Sequence, residues 1–458
     1  MSEAELAKLS YPNAPCIVTS EVPGPEMKKA LDRSFRHESL ARGAGRFPMV
    51  YSEGMGSTVK DPDGNVYIDI TAGVAVNSVG RLHPRVIAAI EGQLGRLIHA
   101  IDATNLKRIE LAEKVCEVMP EGLRGNCATY FTQSGSSAVE TAIKFVRKIT
   151  GRTQILAFHG AYHGVWLGAN SLTTGDQYRK GYGPFMPGAI HAPYPYCYRC
   201  CFGLTHPECN LQCAKYVDYL LNTPYTGADD VGAVIIEAQQ GEGGYLPPPP
   251  GYLEIVKQAC EKHGALFIAD EVQAGAGRTG KMWAIQHSSV IPDMLTWGKG
   301  MGGDMPCAGL TMRADLAAKI ADNSQPNTWA GNAITAVVAM TNIDILTENG
   351  GELIARAGEV GEEVKARLQE VAEETPYIGE VRGRGLMTGI ELVESKETRQ
   401  PMVPERVGQV VVGLLQKGVI MVPCGRFGNV LRFMPPLTIT REHCRIATDV
   451  LADVLRKV

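Results

Sequence analysis

The chain has 458 residues, of which 45% are hydrophobic and 21% are charged, and its formal net charge is −4. This balance gives no general attraction to nucleic acids or anionic membranes. The first residues, MSEAELAKLSYPNAPC, lack the apolar core of a signal peptide, and no stretch approaches the roughly twenty apolar residues that span a bilayer. We therefore expect a cytoplasmic protein with reduced cysteines that binds neither nucleic acid nor membrane.

The N-terminal part of the chain contains short elements of mixed type. A polar helix is predicted over 25–45, and short strands around an Asp63-Gly64 turn are predicted over 52–73. The next predicted elements are an amphipathic helix over 83–99, a strand over 126–132 and a helix over 136–151 that ends in glycine.

Compact apolar runs follow, and each of them ends in or near Gly, Asp, Glu or Lys. They are TQILAFHG, GAVIIEAQ, ALFIAD and DMLTWGK, with helix-like stretches between them. Such runs predict a mostly parallel sheet with helices on both faces. After about residue 335, two long helices (338–374), strand-like segments and helices over 404–417 and at the end predict a smaller α+β unit. The sequence therefore predicts an α/β fold with a large domain over 81–335 and a small domain over 336–458.

Gly275, Gly277 and Gly280 spell the G-x-G-x-x-G pattern of dinucleotide-binding loops. In that fingerprint the first glycine stands at the tip of a strand and a helix begins at the third. Here four residues separate Asp270 from Gly275, and only about ten residues lie between Gly280 and Pro292, which is a cramped crossover for a βαβ unit. The pattern therefore favours a loop over a dinucleotide site.

Asp270 and Lys299 each stand at the carboxyl end of a predicted buried strand, where open α/β sheets bind ligands. Gly298 and Gly300 flank the lysine and let its backbone approach something bulky. A lysine and an aspartate in these positions suit pyridoxal 5′-phosphate, because the lysine can bind the aldehyde and the aspartate can keep the pyridine nitrogen protonated. From these residues alone, a surface lysine and a helix-capping aspartate explain the pattern equally well.

Six motifs in order along the chain carry a resemblance to a known family. They are FTQSGSSAVETAIKFVRKITGR, FHGAYHG, VIIEAQQGEGG, LFIADEVQAGAGRTGKMWA, PDMLTWGKGMGG and NTWAGN. From about residue 45 to the end, the chain resembles the class III (ω-amino acid type) aminotransferases, which have pyridoxal-phosphate fold type I. The resemblance implies a pyridoxal-phosphate enzyme that works as a homodimer, with or without further pairing into a tetramer. It also implies that residues 1–80 contribute to the small domain and the dimer interface.

The same resemblance assigns roles to individual residues. Lys299 would bind the cofactor covalently and move the proton between substrate and cofactor. The remaining cofactor contacts would be Asp270 on the pyridine nitrogen, Gln273 on the ring hydroxyl, the backbone of Ser134, Gly135 and Ser136 on the phosphate, Tyr162 and Val272 on the two ring faces, Glu237 as a polar support, and Thr328 on the phosphate of the neighbouring subunit. A helix-capping role for Ser134 and a core role for Val272 fit the sequence too.

The substrate side departs from one branch of the family. Arg432 matches the arginine that binds a substrate carboxylate, and Glu242 matches the glutamate that pairs with this arginine and swings away. Members that handle γ-aminobutyrate or glutamate usually carry a second arginine directly after Tyr-His-Gly, but this chain has Val165 followed by Trp166. Val74 matches a substrate-side apolar position of the family. The departure favours a β- or ω-amino acid, an amino acid derivative or a simple amine as donor, and pyruvate or 2-oxoglutarate as acceptor.

A second activity on the same scaffold remains open. Some relatives racemise or epimerise amino acids with overlapping site residues, so a pyridoxal-phosphate racemase or epimerase is the alternative to an aminotransferase.

One further motif suggests a different class of function. The segment YCYRCCFGLTHPECNLQCAKY carries Cys197, Cys200, Cys201, Cys209 and Cys213. A C-x-x-C followed by a C-x-x-x-C is a plausible zinc spacing, so a zinc-ribbon module is an alternative to a loop of thiols without metal. We predict no metal ligand among the site residues above.

Overall fold

The computed structural model describes residues 1–39, 41, 47–100 and 103–458. The helices that it contains are α1 Glu3–Ala7, α2 Pro25–His37, α3 Ala72–Ala75, α4 Pro84–Leu94, α5 Leu106–Val118, α6 Gly135–Thr150, α7 Leu167–Leu172, α8 Asp176–Arg179, α9 Gln212–Asn222, α10 Tyr252–His263, α11 Ala314–Ala317, α12 Ala333–Glu374, α13 Pro404–Gln416 and α14 Arg441–Leu455. Short 3₁₀ helices cover Cys197–Arg199, Ala284–His287 and Lys299–Met301. Within the described ranges, no helix has the length and apolar character needed to cross a membrane.

The strands belong to three sheets. Their bounds are β1 Glu53–Met55, β2 Thr58–Lys60, β3 Val66–Asp69, β4 Cys127–Thr132, β5 Gln154–Phe158, β6 Ala189–Ala192, β7 Val231–Glu237, β8 Leu266–Asp270, β9 Met294–Trp297, β10 Ala308–Arg313, β11 Ile378–Arg384, β12 Met387–Leu392, β13 Val419–Ile420, β14 Pro423–Cys424 and β15 Val430–Phe433. The sheets have the orders β4-β10-β9-β8-β7-β5-β6, β1-β2-β3-β13 and β11-β12-β15-β14.

The largest sheet is mostly parallel, as predicted. Strands β9, β8, β7, β5 and β6 run parallel, and β10 is antiparallel to both of its neighbours. Alternate residues of β7 belong to different apolar clusters, since Val234 and Ile236 pack in one and Ala233 and Ile235 in the other. Because successive side chains of a strand point to opposite faces, both faces of this sheet are buried.

The sequence did not predict strands β6 and β10. Gly309 and Thr311 interrupt the apolar run of β10, and β6 is a four-residue strand that contains His191. Both strands are held by pairing with long neighbours rather than by a local pattern of their own.

The two smaller sheets involve both ends of the chain. In the first, β13 pairs in parallel with β3, so strands from the N-terminal segment share a sheet with the C-terminal part. The second is antiparallel throughout and consists of C-terminal strands. The division of the chain at residues 80 and 335 stays a prediction.

The sequence correctly predicted two long helices before the C-terminal strands. Helix α12 is interrupted at 348–351, where Asn349, Gly350 and Gly351 have φ of 50°, 72° and 85°. It begins at Ala333, five residues before the predicted start, because the Asn332 side chain accepts hydrogen bonds from two backbone N–H groups of the first turn. The predicted polar helix over 25–45 is shorter than expected and ends at His37, while residues 40 and 42–46 lie outside the described range.

A glycine contact in the second half of α12 gives a test of this packing. A Cβ atom on Gly361 would lie 2.2 Å from both the carbonyl carbon and the carbonyl oxygen of Gly385, so Gly361→Ala must displace backbone. We expect the variant to lose about 1–3 kcal/mol of stability. Gly408→Ala, on the exposed side of α13 with open space around its Cβ, is the matched control and should gain about 0.5–1 kcal/mol. Denaturation curves followed by circular dichroism measure both changes, and equal stability of the two variants would contradict the described packing.

Candidate active site

Three polar side chains meet at one edge of the largest sheet. Strand β7 ends at Glu237 and β8 ends at Asp270, and these two residues are direct partners in the parallel register. Lys299 follows β9 after a single glycine. Because the carboxyl ends of neighbouring parallel strands lie together, the fold itself brings the three residues to the position where open α/β sheets bind ligands.

A cavity of about 420 Å³ opens at this edge. Its wall contains most of the cofactor residues that the sequence predicts, namely Ser134, Gly135, Ser136, Tyr162, Glu237, Asp270, Val272, Gln273 and Lys299. Gln133, Asp304 and Cys307 also line it, and the sequence analysis assigned them no role.

Lys299 has an unusual backbone and an unusual charge environment. Its φ of 40° lies in the left-handed region that residues other than glycine rarely adopt, and such strain is concentrated at functional sites. A Cβ on the neighbouring Gly300 would lie 2.3 Å from the Ser78 Oγ, so the chain beside the lysine is closely packed. Loss of water around the amine lowers the pKa of Lys299, and the positive charge of Arg432 lowers it further. Both effects favour the neutral amine, which is the form that attacks a carbonyl carbon or accepts a proton.

Asp270 is 4% exposed and is hydrogen-bonded to a buried histidine. The His163 Nδ1 lies 2.6 Å from the Asp270 Oδ2, and the Val272 N–H donates to the Oδ1 at 3.1 Å. Burial alone would lower the pKa of His163, but the hydrogen bond to Asp270 and the charge of that carboxylate raise it overall. The two oxygens of the Asp270 carboxylate are therefore each hydrogen-bonded, one to the imidazole and one to a backbone N–H.

His163 was not predicted from the sequence, in which Tyr162 is the residue of the motif FHGAYHG assigned to the cofactor. No spacing rule places His163 against Asp270, because 107 residues separate the two in the chain. The one signal in the sequence is that this histidine directly follows the tyrosine of a family motif.

The N-terminus of α6 closes one end of the cavity. The Ser134 side chain accepts from the Ser137 N–H at 3.2 Å and caps the helix, which leaves free N–H groups in the first turn, as in helix N-termini that bind anions. A Cβ on Gly135 would lie 2.6 Å from a methyl carbon of Val272. Glycine at this position therefore allows the helix terminus to approach Val272 closely.

Glu237 and Gln273 supply two more polar groups to the cavity. The Glu237 carboxylate accepts from the Tyr162 N–H at 3.0 Å and from the Gly241 N–H at 2.8 Å. Burial raises the pKa of Glu237 to about 7. The buried Gln273 Oε1 has no hydrogen-bond partner among the described residues, and a buried amide oxygen of this kind calls for a bound donor.

Arg432 and Glu242 form a bidentate ion pair next to the cavity. The distances are 2.9 Å from Nη1 to Oε2 and 3.2 Å from Nη2 to Oε1, and the Tyr178 hydroxyl donates to the Glu242 Oε1 at 3.2 Å. The Tyr178 ring contacts that of Tyr162, with centroids 5.0 Å apart. The pair predicted from the sequence is therefore formed, with both guanidinium N–H groups directed at the glutamate.

Besides Glu242 and Arg432, three predicted residues lie outside the wall of this cavity. Val74 and Val165 are 36% and 46% exposed, although the Val165 N–H donates to the Ser136 Oγ of the cavity wall at 3.3 Å. Thr328 is exposed on a loop, beside an exposed Trp329. The structure brings none of these three against Lys299.

The polar groups that line and surround the cavity match the functional groups of pyridoxal phosphate. A lysine with a lowered pKa, a buried carboxylate paired with a histidine, a helix N-terminus and an unpartnered amide oxygen match the aldehyde, the pyridine nitrogen, the phosphate and the ring hydroxyl in turn. The fold and this set of groups define a pyridoxal-phosphate enzyme of fold type I, as the sequence predicted.

Comparison with known proteins gives the family. The model of the class III aminotransferases matches residues 39–455. A diaminobutyrate–2-oxoglutarate aminotransferase of Rhizobium meliloti (strain 1021) is 37% identical over 93% of this chain and 92% of its own. An alanine/serine racemase of Pyrococcus horikoshii is 35% identical over 99% of this chain and 94% of its own. The solved structure of an (S)-enantioselective omega-transaminase from Thermomicrobium roseum superposes with a TM-score of 0.85 at 31% identity, covering 96% of this chain and 99% of that one.

The chain therefore belongs to the class III aminotransferase family. It is an aminotransferase that depends on pyridoxal phosphate and uses an amino donor and a keto acid acceptor.

The cysteine-rich segment has a structural explanation that needs no metal. In the described ranges, no group of three or more His, Cys, Asp or Glu side chains is arranged to hold a metal ion, and the cysteines are free thiols. Arg199 from this segment donates to the buried Glu391 of β12 at 2.5 Å, and Glu391 also pairs with Arg382 of β11. The segment is therefore fixed to the C-terminal antiparallel sheet through an ion-pair network, and the zinc interpretation receives no support.

Proposed function

We propose that the protein transfers the terminal amino group of an ω-amino acid, or of a related amine, to a keto acid. The observation that carries this proposal is the Arg432–Glu242 ion pair beside Lys299. A substrate without a carboxylate near its reacting carbon binds with the pair closed. A keto acid acceptor binds after Glu242 turns away and leaves the guanidinium free for bidentate contact.

The cavity residues have distinct tasks in this proposal. Bound pyridoxal phosphate supplies the electron sink for the reaction. Lys299 binds the cofactor between turnovers and carries the proton to and from the donor carbon. Asp270, hydrogen-bonded to His163 and to the Val272 N–H, would hold a proton at the pyridine nitrogen. The first turn of α6 binds the phosphate, Gln273 binds the ring hydroxyl, and Tyr162 and Val272 pack on the ring faces.

The donor specificity follows from the apolar surface beside the site. Val165, Trp166 and Leu167 are 46%, 54% and 64% exposed, and Val165 stands directly after Tyr162-His163-Gly164, where the family resemblance would place an arginine for γ-aminobutyrate specificity. Without that cation, a distal carboxylate of the donor has no charged partner in this segment. We therefore propose donors whose far end is apolar or differently charged, with diamino acids supported by the diaminobutyrate aminotransferase among the relatives.

The test of the proposed reaction is product formation with defined pairs of substrates. Holoenzyme with 2,4-diaminobutyrate or a carboxylate-free amine as donor and 2-oxoglutarate or pyruvate as acceptor should form glutamate or alanine, and 5-aminovalerate, whose far end is a carboxylate, should be the poorer donor. Lys299→Ala should lower the rate by about 10³-fold or more, because it removes the proton carrier and the covalent link. Lys281→Ala, at an exposed lysine beyond the cofactor strand, is the control and should leave the rate unchanged.

A racemase is the second candidate, and the alanine/serine racemase among the relatives supports it. The same assays separate the two activities. Loss of optical rotation by an enantiopure amino acid without any keto acid, combined with no transfer to either acceptor, would replace the proposed reaction with racemisation.

Substitutions of Arg432 and of Glu242 should have opposite effects on the binding of carboxylate substrates. Arg432→Leu should lower kcat/KM for the keto acid by about 100-fold, because the carboxylate loses its bidentate partner, while a carboxylate-free amine donor should be affected several-fold less. Glu242→Gln leaves the arginine without its anion and should improve the KM for carboxylates. Steady-state kinetics with both classes of substrate measure these effects. Equal losses with both classes would contradict the proposal that Glu242 turns away to let Arg432 bind a carboxylate.

We also propose that the active unit is a homodimer in which Thr328 reaches the phosphate of the other subunit. Gln133, which lines the cavity, and Asn327 exchange two side-chain hydrogen bonds, at 2.5 and 3.1 Å. This contact fixes the loop so that Thr328 and Trp329 face outward. An exposed Trp of this kind, together with exposed Leu106 and Ile109 on α5, is typical of a surface that a partner covers.

Sedimentation of the holoenzyme should therefore give at least twice the mass of one chain. Thr328→Ala should weaken cofactor binding without changing the absorbance of the bound form, since the threonine contacts only the phosphate. A monomer with full activity would contradict this arrangement.

A further inference from the structure

The pair Cys116 and Cys127 stands apart from the other cysteines. Their sulfur atoms are 2.8 Å apart, and no other two sulfurs of described cysteines lie within hydrogen-bonding distance. A disulfide has a sulfur–sulfur bond of about 2.03–2.05 Å, so the two atoms need to move by less than about 1 Å to bond. We propose that Cys116 and Cys127 form a reversible disulfide when the enzyme meets a low-molecular-weight disulfide such as oxidised glutathione.

Rigid elements hold the two cysteines in this position. Cys116 lies in the last turn of α5, where the Trp283 Nε1–H donates to the Val118 carbonyl at 2.6 Å. Cys127 begins β4 and is paired in register with Arg313 of β10. The sulfur contact is therefore set by the packing of a helix on a sheet and not by a free loop.

The connection between the two residues is compact as well. Met119 and Leu123 are fully buried, and turn hydrogen bonds link Leu123 and Arg124 to the Pro120 carbonyl and Asn126 to the Leu123 carbonyl. A crosslink across this segment would close a short loop whose native shape already exists, which is the situation in which a disulfide forms without distorting the fold.

The chemistry requires one thiolate and an accessible pair. Both cysteines are partly exposed. One of the two thiols loses its proton, because the thiolate is the nucleophile. It attacks the oxidised glutathione and releases one molecule of reduced glutathione. The other cysteine then displaces the second molecule, so that the two thiol protons pass to glutathione and the protein gains one disulfide.

The position of the two cysteines predicts how a disulfide between them would affect the enzyme. Cys127 lies at one end of β4, and Ser134 of the cofactor cavity follows the other end. Six residues lie between them, which spans about 20 Å in an extended chain. The crosslink should therefore stabilise the contact of α5 with β4 without changing the cavity.

The experiment uses the holoenzyme incubated with oxidised glutathione, followed by alkylation of free thiols and peptide mapping. We expect the peptides of Cys116 and Cys127 to be joined, the thermal midpoint to rise by a few degrees, and a reducing agent to reverse both changes. Absorbance of the bound cofactor and transaminase rate should not change. Cys116→Ser and Cys127→Ser should each abolish the crosslink and the shift.

Cys200→Ser, in the cysteine-rich segment, is the matched control and should behave as the unmodified protein. Two outcomes would overturn the proposal: crosslinks confined to the cysteine-rich segment, or stable glutathione adducts on Cys116 or Cys127 with no bond between them. Neither outcome depends on which amino donor the enzyme uses, so this proposal and the proposed function can fail separately.

Discussion

The site depends on hydrogen bonds to one buried carboxylate. Asp270 is almost excluded from water, and a buried carboxylate is costly unless its oxygens are hydrogen-bonded. The His163 imidazole and the Val272 N–H supply these hydrogen bonds. The neighbouring strand end carries Glu237, for which burial raises the pKa to about 7. Two adjacent carboxyl groups thereby have different partners, a histidine and one backbone N–H for Asp270 and two backbone N–H groups for Glu237.

The Arg432–Glu242 ion pair lies close enough to Lys299 for the arginine, together with enclosure of the amine, to lower the pKa of the lysine. The proposed function requires this pair to open. A substrate carboxylate that replaces Glu242 would leave the charge on the arginine matched, so the environment of the lysine would be similar with either kind of substrate. In that proposal, specificity for both donor and acceptor follows from exchanging one anion for another on the same guanidinium.

The sequence predicted most residues of the candidate site, but it predicted fewer of the individual strands. Asp270 and Lys299 could be found because buried parallel strands end in polar residues, and that pattern is local. His163 could not be placed, since it contacts Asp270 across 107 residues of sequence, from the segment after β5 to the end of β8. Strand β10 was missed because pairing with β4 and β9 holds it, not its own apolar pattern. The interruption of α12 was foreseen as two helices, because Asn349, Gly350 and Gly351 adopt left-handed φ values at low cost.

The most direct test of this account is to locate the cofactor on the chain. Reduction of the holoenzyme with sodium borohydride fixes the link between lysine and pyridoxal phosphate, and peptide mass mapping then identifies the modified residue. We expect the mapping to find a phosphopyridoxyl group on Lys299, in the strained turn after β9. The Lys299→Ala variant should remain unmodified. A phosphopyridoxyl group on another lysine, or none after incubation with the cofactor, would contradict the assignment of the active site.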